Sequence, residues 1–146
     1  MTDPERVTLR LTRRFGASAE RVFDAWLDPD IVVRWLFATP TGRIVHVSID
    51  ARVGGRFLIT RRDGEDVEHA GQYLEIERPR RLVFTFGVPK FSTLTTRVAI
   101  DIAPLDEGCE LTLTHEGVLP EWSERTRSGW GMLLDGLGAL LADTTL

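Results

Sequence analysis

Hydrophobic residues in the last part of the chain recur at the spacing of a helix. The apolar positions between Ser128 and Leu146 fall on one side of a 3.6-residue repeat. The pattern predicts a long C-terminal helix over residues 128–146. An isolated helix of this kind is marginal in water, so we expect its apolar stripe to pack against the rest of the protein. The stripe consists of Trp130, Leu133, Leu134, Leu137, Leu140 and Leu141.

Most of the chain before this helix alternates between apolar and polar residues, the period of a strand with one buried face. Gly54-Gly55 and Asp63-Gly64 are typical of tight hairpin turns, and short turns throughout indicate that neighbouring strands are antiparallel. The predicted strands are 7–15, 45–49, 57–59, 67–77, 82–86, 94–102 and 111–113.

Two short helices are predicted between the first and second strands. Ser18 is a suitable N-cap for the first helix, and Asp28 caps the second helix with Pro29 at its first position. The second helix is predicted to end near Trp35. Together these elements predict an α+β helix-grip fold: a curved antiparallel sheet of about seven strands wrapped around a long C-terminal helix, with two short helices after strand one. We expect residues 1–146 to form a single domain.

Composition and charge argue against nucleic acid as a partner and against a membrane span. The chain of 146 residues has a net charge of -4, which argues against nucleic acid because phosphate backbones select basic proteins. The longest apolar runs are about five residues, whereas a membrane-spanning helix needs about 20. The N-terminus has no apolar segment typical of a secretion signal, and Cys109 is the only cysteine. These features predict a cytoplasmic protein without a membrane span.

The sequence contains no recognisable catalytic or metal-binding pattern. Its histidines are His46, His69 and His115, without the spacing of a metal site, so we expect no metal and no cofactor. His46 has the parity of an outward position, whereas the direction of His69 is open. Cys109 has no CxxC partner, and neither a serine-nucleophile motif nor a phosphate loop is present.

The predicted C-terminal helix contains several glycines, each of which weakens a helix by about 1 kcal/mol relative to alanine. Gly131 and Gly138 are seven positions apart and flank the leucine stripe. Either a strand approaches the helix closely there, or the missing side chains leave volume for a ligand. Close packing is the preferred interpretation.

Several segments in order resemble the START-like superfamily, in the branch homologous to the C-terminal domain of the activator of heat-shock-protein-90 ATPase. They cover almost the whole chain and include Arg14-Phe15, Val22-Phe23, Ala25-Trp26, Asp28-Pro29, Asp50-Ala51-Arg52-Val53-Gly54-Gly55-Arg56-Phe57, Gly71-Gln72-Tyr73, Arg81-Leu82-Val83-Phe84, Leu111-Thr112-Leu113-Thr114-His115 and Gly129-Trp130.

This resemblance implies binding of apolar or amphipathic small molecules between the long helix and the sheet. Trp35-Leu36-Phe37 stands where the branch often has paired tryptophans, which alters the mouth of the pocket. Full co-chaperones also carry a separate N-terminal domain that engages the chaperone. This sequence lacks one, so a chaperone role is not expected from the family name.

We therefore predict a non-catalytic carrier or sensor that binds a hydrophobic or aromatic small molecule between helix and sheet. We expect a monomer or homodimer. Tyr73, His69 and Arg97 are the polar candidates for the pocket. The predicted ligand-binding residues are Trp35, Phe37, Phe57, His69, Tyr73, Phe84, Phe86, Trp130 and Leu134.

Two alternatives remain open at this stage. The first is an enzyme similar to the aromatases or cyclases of polyketide synthesis, with His69 or Tyr73 as the acid or base. The second is a co-chaperone-like interaction module that acts through the loop at 87–93, which contains Val88, Pro89 and Phe91. No particular residue supports the chaperone contact.

Overall fold

The computed structural model describes residues 6–90 and 95–142. The elements occur in the predicted order of strand, two short helices, six strands and a long helix. They are β1 Val7–Phe15, α1 Ala19–Asp24, α2 Pro29–Trp35, β2 Arg43–Ile49, β3 Arg56–Asp63, β4 Glu65–Glu77, β5 Arg81–Phe86, β6 Thr96–Leu105, β7 Gly108–Val118, a 3₁₀ turn Pro120–Trp122 and α3 Ser123–Ala142.

The strands form one seven-stranded open sheet in the order β1-β7-β6-β5-β4-β3-β2, and every neighbouring pair is antiparallel. The strands from β2 to β7 follow each other as a meander, while β1 pairs with β7 at the far edge. The chain therefore crosses from one edge of the sheet to the other between β1 and β2, and α1 and α2 make this crossing. With α3 packed on β1 and α2, these features confirm the predicted α+β helix-grip fold.

The apolar stripe of α3 is buried as predicted. Trp130, Leu134, Leu137 and Leu141 are all buried at spacings of three and four residues, which places them on one face of the helix. The predicted start at Ser128 is wrong, because α3 begins at Ser123 directly after the 3₁₀ turn. The extra first turn is polar and largely exposed, so it carries no apolar periodicity. The predicted end of the helix, at 143–146, lies outside the described residues.

The glycines of α3 serve different purposes. A Cβ atom added to Gly131 would lie 3.3 Å from a guanidinium nitrogen of Arg13, and one added to Gly138 would lie 3.5 Å from the ring of Phe15. Both neighbours belong to β1, so β1 approaches α3 closely at these two positions, and Gly138 also lines a separate cavity of about 340 Å³ near the end of α3. Gly129 and Gly136 differ, because an added Cβ would meet nothing within 4 Å.

Two local predictions about β2 and its connection are wrong. A register shift between Ile44 and His46 changes the parity of the strand, so Val45 is exposed although alternation predicts it to be buried. Gly54-Gly55 is not a two-residue hairpin turn. The connection runs from residue 50 to 55, and the backbone N–H of Gly54 donates to the carbonyl of Tyr73 at 2.8 Å.

Other local predictions are confirmed or lie outside the described chain. Ser18 accepts a hydrogen bond from the backbone N–H of Arg21, and Asp28 accepts one from Asp30, as expected of N-caps. The Asp63-Gly64 turn directly joins β3 and β4. The sixth strand is described from Thr96 onward, so its predicted start at 94 lies outside the described residues. Across 6–90 and 95–142, no helix is long and apolar enough to cross a membrane.

Candidate functional site

The space deepest between helices and sheet is filled by side chains. We call it the closed interior; it is lined by Trp26, Leu36, Phe37, Phe57, Ile59, Tyr73, Leu82 and Phe84. Its free volume is about 10 Å³, which is about the minimum for one water molecule. Phe57 packs against Tyr73 and Phe84 with ring centroids 5.6 and 5.4 Å apart. This region is therefore packed core rather than a ready cavity for an organic ligand.

A larger cavity lies where the first half of α3 faces the connection after α2 and strands β3 to β5. We call it the mouth cleft, and its volume is about 280 Å³. Its charged side chains are Arg61 and Arg125, and His69 and Thr126 add polar groups. The larger apolar side chains in its lining are Phe37, Phe86, Val88, Trp130, Met132 and Leu133.

A second, smaller cavity adjoins the mouth cleft. This side cleft has a volume of about 170 Å³ and lies between the ends of β5, β6 and β7 and the start of α3. It shares Phe86, Val88 and Thr126 with the mouth cleft, and His115 and Trp122 line its far part. The two clefts together form an apolar region at one end of the sheet.

The predicted ligand-binding residues divide among three environments. Phe37, His69, Phe86 and Trp130 line the mouth cleft. Phe57, Tyr73 and Phe84 lie instead around the closed interior, which Phe37 also borders. Trp35 and Leu134 are buried and line none of these cavities. The indole N–H of Trp35 donates to the carbonyl of Ala25 at 2.9 Å, so this side chain ties α2 to the end of α1.

Phe37 has an unusual backbone conformation. Its φ is +64°, a left-handed conformation that costs a non-glycine residue about 1–2 kcal/mol. This turn follows the end of α2. The Phe37 ring stacks on His69 with centroids 4.4 Å apart and on Phe86 at 5.2 Å. A guanidinium nitrogen of Arg61 donates to the Phe37 carbonyl at 3.4 Å. These contacts hold a strained residue at the wall of the mouth cleft, the kind of position that proteins keep at binding sites.

His69 is the one predicted polar residue that lines the mouth cleft. Burial, followed by the positive charge of Arg61, lowers the pKa of His69 to about 4. The ring is therefore neutral near pH 7. Its Nδ1 is buried and has no hydrogen-bond partner among the described residues. Because buried polar atoms are normally paired, this unpaired nitrogen sets His69 apart from the other side chains that line the cleft.

Sequence reasoning missed His115 as a pocket residue. Its Nδ1 accepts a hydrogen bond from the indole N–H of Trp130 at 3.0 Å, and its Nε2 lies 2.7 Å from Thr96 Oγ1. Burial lowers the pKa of His115 to about 4. Since an indole can only donate, the neutral ring must carry its proton on Nε2 and donate to Thr96. The parity that His115 shares with Leu111 and Leu113 is the signal that predicts its inward direction.

Three other polar residues were also considered from the sequence, and their outcomes differ. Arg97 is wrong as a pocket candidate, because its guanidinium lies 3.5 Å from Glu75 and 3.6 Å from Glu116 and lines none of these cavities. His46 is exposed, as its parity predicts. Burial, followed by the charge of Asp50, raises the pKa of Tyr73. No described hydrogen bond joins Tyr73 to His69.

The described residues show no arrangement that would hold a metal ion, since no three His, Cys, Asp or Glu side chains converge within 6–90 and 95–142. Cys109 is buried. Burial raises the pKa of its thiol, and the negative charge of Glu20 raises this pKa further. A thiol with a raised pKa is a poor nucleophile near neutral pH.

Comparison with known proteins gives the family. A family model described as "Activator of Hsp90 ATPase homolog 1-like protein" matches residues 16–142. A crystal structure of a Chromobacterium violaceum protein is 30% identical, with a TM-score of 0.85 over 91% of this chain and 95% of that chain. No curated protein matches the sequence.

More distant structures share the same fold. A Staphylococcus aureus protein described as being of unknown function has a TM-score of 0.86 at 16% identity and covers 98% of both chains. A solution structure of an AHSA1-like protein from Aeromonas hydrophila has a TM-score of 0.80 at 21% identity, over 94% of this chain and 93% of that chain. The chain belongs to the family of proteins like the activator of Hsp90 ATPase homologue 1, within the START-like superfamily.

Proposed function

We propose that the protein binds a hydrophobic or aromatic small molecule, as a carrier or sensor, in the mouth cleft. The observation that carries the proposal is an apolar cavity of about 280 Å³ with a few polar groups at its edge, which is the usual composition of a small-molecule site. A dry cavity of roughly 150 Å³ accommodates benzene. The mouth cleft therefore suits an aromatic body of about two fused rings.

The ligand would lie in the mouth cleft and not in the closed interior. The closed interior has a volume of about 10 Å³, and opening it would require aromatic side chains to leave a close-packed core. Trp130 and Phe86 border the mouth cleft with ring centroids 6.1 Å apart, and Phe37 lies 5.9 Å from Trp130. These three rings offer an aromatic ligand faces and edges on which to pack.

A carrier or sensor is preferred to an enzyme because the candidate acid and base groups do not form a pair. His69 borders the mouth cleft while Tyr73 borders the closed interior. The low pKa of His69, about 4, also makes it a weak base. The interaction-module alternative depends on the loop at 87–93, of which Phe91 lies outside the described residues and Val88 lines the mouth cleft.

A thermal-shift panel tests the proposal. Two-ring aromatics and medium-chain fatty acids are added to the purified protein, and native mass spectrometry searches for a co-purifying molecule. A ligand present at 100 times its Kd adds about 2.7 kcal/mol to stability, which raises the Tm of a domain of this size by roughly 2–4 °C per kcal/mol. Absence of both a shift and a co-purifying molecule would contradict the proposal.

A further inference from the structure

The charged residues that line the mouth cleft are all of one sign. Arg61 and Arg125 line it, and no aspartate or glutamate does so among the described lining residues. The whole chain carries 22 acidic and 18 basic residues, so a cleft with only positive charges departs from the average surface. Such a cleft attracts anions and disfavours cations.

Neither arginine has its charge neutralised by a described carboxylate. The one hydrogen bond that the Arg61 side chain makes with the described residues is the long 3.4 Å contact with the Phe37 carbonyl, and the guanidinium of Arg125 lies over the ring of Trp122 at 5.2 Å. Several other arginines form ion pairs, for example Arg62 with Asp66 at 2.7 Å. The guanidinium groups at the mouth cleft therefore keep donors that a planar anion can use.

Two further features of the cleft favour an anion. His69 is only 6% exposed, and its buried Nδ1 has no partner among the described residues. A neutral imidazole that carries its proton on Nδ1 has an unpaired donor at this nitrogen. The cleft also borders the first turn of the 20-residue helix α3 at Arg125 and Thr126, where the helix dipole is positive.

We propose that the ligand is an aromatic or aliphatic carboxylic acid whose carboxylate lies between Arg61 and Arg125 while its apolar body packs against Phe37, Phe86 and Trp130. This inference rests on the proposed function and specifies its ligand class. Carboxylate is favoured over a bulkier anion because it is planar and accepts two parallel hydrogen bonds from one guanidinium. The aromatic side chains that line the cleft are the reason for proposing an apolar body in the ligand.

Isothermal titration calorimetry with a matched pair of probes tests the inference. The probes are 2-naphthylacetate and its neutral amide, which have the same shape and differ in charge. The acid is expected to bind at least about tenfold more tightly than the amide, and this preference should fall to about twofold or less in Arg61→Gln and in Arg125→Gln. Arg56→Gln is the control, because Arg56 is exposed on the same strand and does not line the cleft.

The possible outcomes test the carboxylate inference separately from the proposed function. Equal binding of acid and amide overturns the carboxylate inference and leaves the proposed function standing. An acid preference that survives both cleft substitutions, or that Arg56→Gln removes equally, also overturns it. Failure of both probes to bind overturns it as well, and the thermal-shift panel then judges the proposed function separately. Because Arg61 also packs over Gly42, Arg125→Gln on the exposed helix surface keeps the test valid if Arg61→Gln does not fold.

Discussion

At the scale of single residues, His115 connects four elements through hydrogen bonds. It accepts from Trp130 of α3 and donates to Thr96 of β6, whose hydroxyl donates in turn to the Phe86 carbonyl of β5 at 3.0 Å. His115 itself belongs to β7. Every donor in this chain of bonds has an acceptor, so the buried imidazole fixes the position of α3 on the sheet without leaving an unpaired polar atom.

Removing the indole donor should destabilise the protein. Trp130→Phe keeps an aromatic ring but leaves the buried Nδ1 of His115 without its partner, which we expect to cost about 1–3 kcal/mol. Urea unfolding measures the loss. Trp122→Phe is the control, because Trp122 is 38% exposed and its substitution should change stability by less than about 0.5 kcal/mol. Equal losses in the two variants would contradict the assigned role of the Trp130–His115 bond.

The stability of the protein should fall on acidification. The reason is that the two buried histidines stay neutral in the folded protein over a pH range in which they are protonated in the unfolded chain. His69 and His115 have pKa values of about 4 in the folded protein, against an ordinary value of 6.5. The unfolded state therefore binds more protons between these values. The stabilising contribution is complete above pH 6.5 and is lost toward pH 4, by up to about 3 kcal/mol for each histidine.

Urea unfolding at about pH 7 and about pH 4.5 checks this dependence. His69→Gln should reduce the difference between the two conditions, since one of the two histidines no longer titrates. His46→Gln is the control, because His46 is exposed. A pH dependence that is unchanged in His69→Gln would contradict the account of that residue.

At the scale of elements, α3 combines close packing on β1 with open space over the mouth cleft. Gly138 and Gly131 lie against β1, while Gly129 lines the cleft and Gly136 is exposed. The four glycines of α3 therefore differ in how much space a new side chain would have. This difference predicts opposite effects of substitutions at sites that have the same helix propensity.

Gly136→Ala should stabilise the protein by up to about 1 kcal/mol, because alanine is the better helix former and its Cβ meets open space. Gly138→Leu should instead destabilise it by about 1–3 kcal/mol, since Phe15 would be displaced. Thermal unfolding of the two variants checks both signs. A stabilising Gly138→Leu would contradict the close contact between α3 and β1.

The order of the elements could be predicted because buried faces repeat regularly along the chain. Trp130, Leu134 and Leu137 define the helix face, and Leu111 and Leu113 define the strand face that His115 shares. Local departures from the regular period could not be predicted. The bulge that exposes Val45 and the left-handed turn at Phe37 arise from tertiary packing.

The candidate site was predictable only in part for the same reason. Aromatic character indicates which side chains are buried, but not which of them border an empty space. Phe57 and Phe84 fill the closed interior, whereas Phe86 borders the mouth cleft. All three were equally plausible lining residues by parity and residue type. Only the three-dimensional arrangement separates them.

At the scale of the whole molecule, the space between α3 and the sheet is filled in its depth, and the mouth cleft lies near the start of α3. The sheet, α2 and α3 bury a continuous aromatic core, and the open space lies where the start of α3 meets β3 to β5. The protein thus combines the family fold with a packed interior and an aromatic-lined cleft, to which we assign the proposed ligand. The carrier or sensor hypothesis therefore depends on this one cavity.

The most direct test fills the mouth cleft from α3 without disturbing the helix. Gly129→Leu adds a side chain at the cleft, and Gly136→Leu adds the same side chain at an exposed position, with no atom within 4 Å of the new Cβ in either case. Binding is measured by calorimetry with 2-naphthylacetate or its amide, whichever the wild-type protein binds more tightly. The account predicts at least about tenfold weaker binding in Gly129→Leu and unchanged binding in Gly136→Leu. Equal affinity in both variants and the wild type would contradict it.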